Sequence, residues 1–466
     1  MMLRRRRAAS AASPPWADLP PEVLLNIAGR LHVASDLVRL YAVCSNWKIA
    51  LVGDPPSHWL LPWLLAPSSS SAAGDKAEEQ RCRCVFSKAT YRAPGICVGD
   101  RRVAYDDGTA AWLVRNKDEI SLANPLTAER LALLAGRRLS DWWLNWQHRI
   151  VYGDDSCVLL YNFHPQHGFQ ASFLHPGLGN KWFYLSSRLS NTYRCCAAAC
   201  HLGGYVVCVD LAYCHVLRPR QELVNKYNYY NRTREVRAAL PEVPAGKVRR
   251  CSYLMEFDGV LLLASVLQET GGGDGLSVSL HELRLDADRN GGEEPEVEWV
   301  RRDRSSSDMS LLEEEVLFLG SPNSFTIEAA EFGGEVTGGT AYFVMEAGGQ
   351  RRSSGSPAAE PTCGVYRYRF CDGTATLVER LPAGWHDANC MWFLPDPQFE
   401  EDSEPATQEG FNTAMTAPNA VGAPAQDHSL TSEFFALLLV ILLISALVWI
   451  ALGGFSFLRN FARILI

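Results

Sequence analysis

The amino-acid sequence predicts three parts in series: a small N-terminal all-α module, a mainly-β domain built as a β-propeller, and a C-terminal single transmembrane helix. Three patterns carry this expectation. Between Trp16 and Leu65 the apolar residues recur with a helical period. From residue 82 to 395 the pattern changes to short alternating runs separated by Gly, Asn or Asp turns, at least ten in succession with almost no helix between them. Such sequential short strands build propeller blades, or a large sandwich. Finally, Phe434 to Leu452 reads FFALLLVILLISALVWIAL, without a charged residue.

Composition frames these parts. The chain has 466 residues, 47% hydrophobic and 21% charged, with 44 Lys+Arg against 52 Asp+Glu. A net charge of −8 excludes a protein that binds nucleic acid through a wholly basic surface. The N-terminus, MMLRRRRAASAASPPW, has no apolar h-region and reads as a basic disordered start over residues 1–15. Arg4 to Arg7 fit a nuclear-localisation patch, a targeting presequence or a solvated start. Without a secretory signal the 14 cysteines are expected to be reduced, buried thiols rather than a disulfide framework.

The helical module is expected over residues 16–65. Leu24, Ile27, Ala28 and Leu31 fall at i, i+3, i+4 and i+7, with Pro20 and Pro21 where a helix would start. Ser35 is placed to cap a second helix carrying Leu37, Leu40, Tyr41 and Cys44, and two short helices meet around Trp47. Residues 66–81 contain SSSSAAGDKAEEQ, a flexible linker by composition. The β domain follows over 82–395, with strands at 110–114, 119–123, 149–153, 157–163, 205–211, 259–266, 276–283, 315–320, 340–344 and 364–370. No fixed-period repeat marks the blade number. Stretches 269–275, 286–296 and 347–361 read as surface loops.

Residues 396–433 form an acidic tether with eight acidic residues and no Lys or Arg. The apolar helix of 434–455 comes next, then a short tail of 456–466. Nineteen uncharged residues rise about 28 Å, close to a hydrocarbon core of roughly 30 Å. The expectation is a single-pass tail anchor in the membrane, Phe434–Leu452 contacting the lipid bilayer and the N-terminal bulk in the cytosol. Arg459 and Arg463 behind the span pull the other way under the positive-inside rule. Glycosylation of the sequon Asn231-Arg232-Thr233 would place that region in a secretory lumen.

Catalytic motifs are absent: there is no H-E-x-x-H, G-x-S-x-G or G-x-x-x-x-G-K-[ST], and GGGDG at 271–275 misses the dinucleotide fingerprint. Cys195, Cys196, Cys200, His201, Cys208, Cys214 and His215 crowd soft ligands into 21 residues, but only Cys196-x₃-Cys200 has zinc-type spacing. Packed thiols are expected there, with no metal and no cofactor. Cys82-Arg83-Cys84 lacks the second pair of a redox motif. Trp142, Trp143 and Trp146 have few basic neighbours and read as core rather than a base-stacking platform.

The N-terminal segment WADLPPEVLLNIAGRLHVASDLVRLYAVCSNWKIAL (Trp16 to Leu51) resembles the F-box in order and spacing. That resemblance implies a helical module docking on a Skp-type adaptor and, through it, on a cullin. By carry-over Leu19, Pro20, Leu24, Leu25, Ile27 and Leu31 would pack on the adaptor, with Leu37, Val43, Cys44 and Trp47 supporting or extending the contact. An isolated 40-residue hairpin cannot bury its own apolar stripe, which fits a partner-completed core. The segments 58–67, 111–134, 253–265, 317–334, 339–346, 364–370 and MWFLP at 391–395 are similar, in order, to a large plant family, expanded in grasses, of F-box proteins with a KIB-type β-propeller. This resemblance implies a non-catalytic substrate-recognition subunit of a ubiquitin ligase, binding an unknown protein substrate, with no nucleic acid expected. A membrane-tethered β-propeller scaffold, or a protein that sequesters the adaptor, without ligase activity in either case, is the rival reading.

Overall fold

A computed structural model of the chain describes residues 15–52, 60–66, 79–97, 101–105, 108, 110–116, 119–123, 130–133, 149–152, 158–164, 168–174, 182–188, 197–202, 204–219, 233–270, 275–286, 296–303, 312–321, 324–346, 363–382, 385 and 390–395. They belong to one compact unit. The basic start, most of the linker, the sequon's Asn231, Cys195, Cys196, the Trp142–Trp146 cluster, the acidic tether and the apolar C-terminal segment lie outside the described residues.

Three short helices open the fold after a single 3-10 turn at Pro15–Asp18: α1 Pro21–Ala28, α2 Ala34–Tyr41 and α3 Ser45–Val52. Pro21 sits in the first turn of α1, where a missing N–H leaves no bond unmade, and the Val23 and Leu24 N–H groups donate to the Pro20 carbonyl at 3.0 and 3.2 Å. The expected pair of helices is thus three. The N-cap of α2 is Val33, not Ser35. Ser35 lies two residues past the cap, its hydroxyl buried without a hydrogen-bond partner among the described residues, and Cys44 falls past the end of α2.

The strands follow in chain order: β1 (Trp63–Leu65), β2 (Glu79–Cys84), β3 (Ala89–Cys97); β4 (Arg101–Tyr105), β5 (Ala110–Asn116), β6 (Glu119–Ala123), β7 (Arg130–Leu133); β8 (Arg149–Tyr152), β9 (Val158–His164), β10 (Gly168–Leu174), β11 (Trp182–Ser187). Then come β12 (Ala197–Leu202), β13 (Tyr205–Val209), β14 (Tyr213–Pro219), β15 (Thr233–Ala239); β16 (Lys247–Phe257), β17 (Val260–Glu269), β18 (Leu276–Asp286), β19 (Glu296–Arg301). The last are β20 (Glu315–Leu319), β21 (Phe325–Glu328), β22 (Thr340–Glu346), β23 (Cys363–Arg369), β24 (Thr374–Arg380) and β25 (Met391–Phe393). All ten strands expected from the sequence are among them.

These strands pair into five sheets among the described residues. Two are antiparallel four-stranded meanders, β12–β15 and β16–β19; β4–β7 and β8–β11 are two further meanders joined into one eight-stranded sheet by a parallel pair, β4 with β8. A five-stranded sheet runs β21-β20-β22-β23-β24. The remaining sheet, β25-β1-β2-β3, hydrogen-bonds the last described strand to the first and so closes the ring of sheets on itself. Residues 63–65, assigned by sequence to the helical module, are a strand of this closing blade.

Register explains how the closing blade is used. Trp63 lies opposite Phe393 and Cys84, and Leu65 opposite Met391 and Cys82, so these six side chains share one face. That face forms a single hydrophobic core with Leu24, Ala28, Leu37, Tyr41 and Leu51 of the helices. The alternate row, Trp392–Leu64–Arg83, points the other way, where Leu64 and Trp392 pack with Val316, Phe318 and Tyr342 of the five-stranded sheet. Cys82-Arg83-Cys84 is therefore strand alternation: two thiols in the core under the helices, and a buried guanidinium forming a bidentate pair with Glu379 of β24.

One expectation is corrected here. The longest helices described have eight residues, about 12 Å at 1.5 Å per residue, and among the described residues no helix is long and apolar enough to cross a membrane. A C-terminal transmembrane helix is not part of the fold as described. The single-pass membrane localisation and the bilayer contact assigned to Phe434–Leu452 lose their basis with it.

Candidate functional site

Large apolar side chains in water are concentrated on the helical module. Eight are exposed among the described residues, and six of them, Trp16, Val23, Ile27, Val38, Val43 and Ile49, belong to it. Isolated exposed Val or Leu residues need no explanation, whereas six within one short helical module make it the candidate interaction surface. Val23 and Ile27 stand one turn apart on α1, Val38 is on α2, Val43 in the turn after it, and Ile49, 72% exposed, on α3. The opposite side of the same helices carries Leu24 and Leu51, 1% and 0% exposed, against the closing blade.

Local chemistry holds this surface in shape. Trp47 donates its indole N–H to the Trp16 carbonyl at 3.0 Å and packs edge-on against the Trp16 ring, which ties the 3-10 turn to α3. The Tyr41 hydroxyl donates to the Leu51 carbonyl at 3.3 Å, joining α2 to the last turn of α3. His32 sits against Phe332, and the Leu61 N–H donates to the His32 carbonyl at 2.7 Å, anchoring the α1–α2 connection to the body.

The ten residues expected to form the docking contact divide by burial. Pro20, Ile27 and Val43 are exposed on the module's surface. Leu24 and Leu37 are core, and Leu19, Leu25, Leu31 and Trp47 are half-buried against that core. Cys44 is intermediate. The expected stripe Leu24, Ile27, Ala28, Leu31 is split, Ile27 turning to water while Leu24 and Ala28 turn to the blade. Sequence reasoning missed Trp16, Val23, Val38 and Ile49. The i, i+4 spacing of Val23 and Ile27 was the legible signal for a second apolar face on α1.

The soft-ligand cluster resolves into carboxylate chemistry instead. His215 of β14 is fully buried, and its Nδ1 lies 2.7 Å from Glu235 Oε1 of β15 and 3.0 Å from the Ser187 hydroxyl of β11. Ser187 also donates to Glu235 Oε1 at 2.9 Å. On the other side Nε2 faces Asp210 Oδ2 at 3.6 Å, an ion-pair contact longer than a hydrogen bond, while Asp210 Oδ1 accepts the Ala212 and Tyr213 N–H groups. Burial alone would lower the His215 pKa, but the close carboxylates of Asp210 and Glu235, the latter hydrogen-bonded to Nδ1, outweigh it and raise it. Burial, with the Asp210 charge, pushes the Cys214 thiol up to about 12, which disfavours the thiolate a metal requires. Among the described residues no group of three or more ligating side chains is arranged to hold a metal.

A serine, a histidine and two acids suggest a hydrolytic triad, and the geometry argues otherwise. In a triad the nucleophile and the orienting acid occupy opposite ring nitrogens. Here Glu235 shares Nδ1 with Ser187, Asp210 on the opposite nitrogen stands at 3.6 Å, beyond hydrogen-bond reach, and Ser187 is 3% exposed. The arrangement is a charge cluster centred on the buried His215, with Glu235 at its partly exposed edge, linking β11 to β14 and β15.

Fold and surface together define a protein that places an F-box-like module on the closing blade of a β-propeller. The chain belongs to the KIB1-4 β-propeller family, whose model matches residues 84–367, and an F-box-like model matches residues 16–59. No curated protein matches it. Similar solved structures include a protein from Lactobacillus plantarum, 11% identical over 71% of this chain and 99% of that one, with a TM-score of 0.30. A TolB candidate from Agrobacterium tumefaciens is 9% identical over 72% of this chain and 96% of that one, with a TM-score of 0.29. At these scores neither likeness supports an inference.

Proposed function

We propose that this chain is the substrate-recognition subunit of an SCF-type cullin ubiquitin ligase. The observation that carries the reading is the row of exposed apolar residues on an F-box-like module whose opposite face is already committed to the propeller. A Skp-type adaptor covers that row and brings the cullin; the propeller presents its loops to an unidentified protein substrate. The contribution is proximity. Holding a target beside a charged conjugating enzyme raises the effective concentration of its acceptor lysine, a task that needs no acid, base or nucleophile from this chain. The subunit is accordingly non-catalytic, without a cofactor, and makes no use of nucleic acid.

Co-precipitation of adaptor and cullin with the full chain, wild type and the Ile27→Asp/Val43→Asp variant, tests the reading. Both proteins should come down with the wild type and neither with the variant. Adaptor without cullin in the wild-type sample would favour sequestration over ligase function, and absence of both would sink the proposal.

A further inference from the structure

We propose that the helical module is built to its docking shape by the C-terminal strand β25, so that competence to bind a partner depends on closure of the propeller. Each helix of the module has only eight residues. Isolated helices shorter than about 12–15 residues are marginal in water, and a unit below about 40 residues seldom buries enough surface to fold alone. What α1, α2 and α3 bury is a shared core with the closing blade, to which β25 contributes Met391 and Phe393. Phe393 stands beside Trp63 in register, their ring centroids 6.4 Å apart, and Trp63 stacks on Tyr91 at 4.8 Å. The floor under the helices is therefore made of β25, β1 and β2 with Tyr91 of β3, and β25 joins only when the far end of the β domain has folded back onto β1.

The same strand separates two roles by alternation. Phe393 and Met391 face the helices, whereas Trp392, between them, faces the five-stranded sheet and meets Phe318 edge-on at 5.1 Å. Loss of Phe393 packing should therefore loosen the helices, and loss of Trp392 packing should loosen the sheet junction. Met391 and Phe393 are positioning residues for docking, acting through Leu24, Leu37 and Leu51. A chain whose ring has not closed then presents no formed docking surface, and by linkage a partner bound to the helices holds β25 in place. The linkage half of this inference rests on the adaptor reading above; the packing half does not.

Hydrogen–deuterium exchange on the full chain separates the two halves. In the free protein, Phe393→Leu should speed exchange of α1 and α3 amides on the order of tenfold while β16–β18 keep their protection, and Trp392→Phe should leave the helices as in wild type. Should Phe393→Leu unfold the whole chain, Cys84→Ala, a smaller change on the same face, should give the same helix-selective pattern at lower amplitude. Unchanged helices in Phe393→Leu and Cys84→Ala, or an equal effect from Trp392→Phe, would overturn the proposal. Adding a Skp-type adaptor to the wild type should slow exchange in β25, and binding without that slowing also overturns it. If the adaptor does not bind, the ligase reading falls and the free-protein exchange still decides the packing claim.

Discussion

In β13 four consecutive residues, Val206 to Val209, are all at 0% exposure. Successive side chains of a strand point to opposite faces, so both faces of this sheet are covered: Val206 and Cys208 pack with the Leu159 and Phe173 side, Val207 and Val209 with the Leu254 and Leu263 side. In α1 the equally apolar Val23, Leu24, Leu25 and Ile27 are divided, Leu24 in the core and Val23 and Ile27 in water. A blade stacked between neighbours has no free face, whereas a helix laid on the outermost layer buries one stripe and leaves the rest. The lesson is that the doubly covered strands of the β domain use their apolar residues for stability, whereas those of the helices are divided between a buried and an exposed face.

The contrast can be broken most forcefully inside the body. Glu379→Ala takes the carboxylate from the largely buried Arg83 guanidinium, leaving it only the Thr90 hydroxyl among the described residues, and should cost about 3 kcal/mol in chemical denaturation, while replacing both partners with apolar residues should recover much of that. Leu24→Ala should cost about 2–5 kcal/mol, as for a core leucine in a blade. By contrast Ile49→Asp should change stability by no more than about 0.5 kcal/mol yet weaken adaptor binding at least about tenfold by titration calorimetry. Equal stability losses for Leu24→Ala and Ile49→Asp would erase the distinction between the two helix faces.

The pH dependence sharpens it within the β domain. Burial holds His281 down to about 4, so it stays neutral when folded and takes a proton when unfolded; stability it supports is lost as pH falls from about 6.5 towards 4, by at most about 3 kcal/mol. His215, raised, has the opposite sign: its contribution is complete below about pH 6.5 and is lost as pH rises through its folded value. Thermal midpoints of His281→Phe should lose the acid slope, and those of His215→Gln the alkaline one. The smallest effect expected is Arg39→Ala. Its ion pair with Asp36 is solvent-exposed, and melting should shift by less than about 0.5 kcal/mol.

Much of this was legible in local pattern. Helical spacing located α1 and α2, strand alternation located ten strands, and the order of residues from Trp16 to Leu51 pointed to an F-box-like module. The sequence by itself determined which residues are apolar and with what period, because period depends on chain neighbours a few positions away. It did not say which side of a period is covered. Ile27 and Leu24 belong to one stripe in the sequence and to opposite environments in the fold, because what lies over Leu24 is a blade whose strands come from both ends of the β domain. Nor did spacing disclose that Arg83 meets Glu379, or that His215 finds Ser187 and two carboxylates rather than the neighbouring thiols. Those contacts depend on which strands become neighbours once the ring closes. Only the tertiary structure decides that, since burial and charge pairing are set by distance in space and not by distance along the chain.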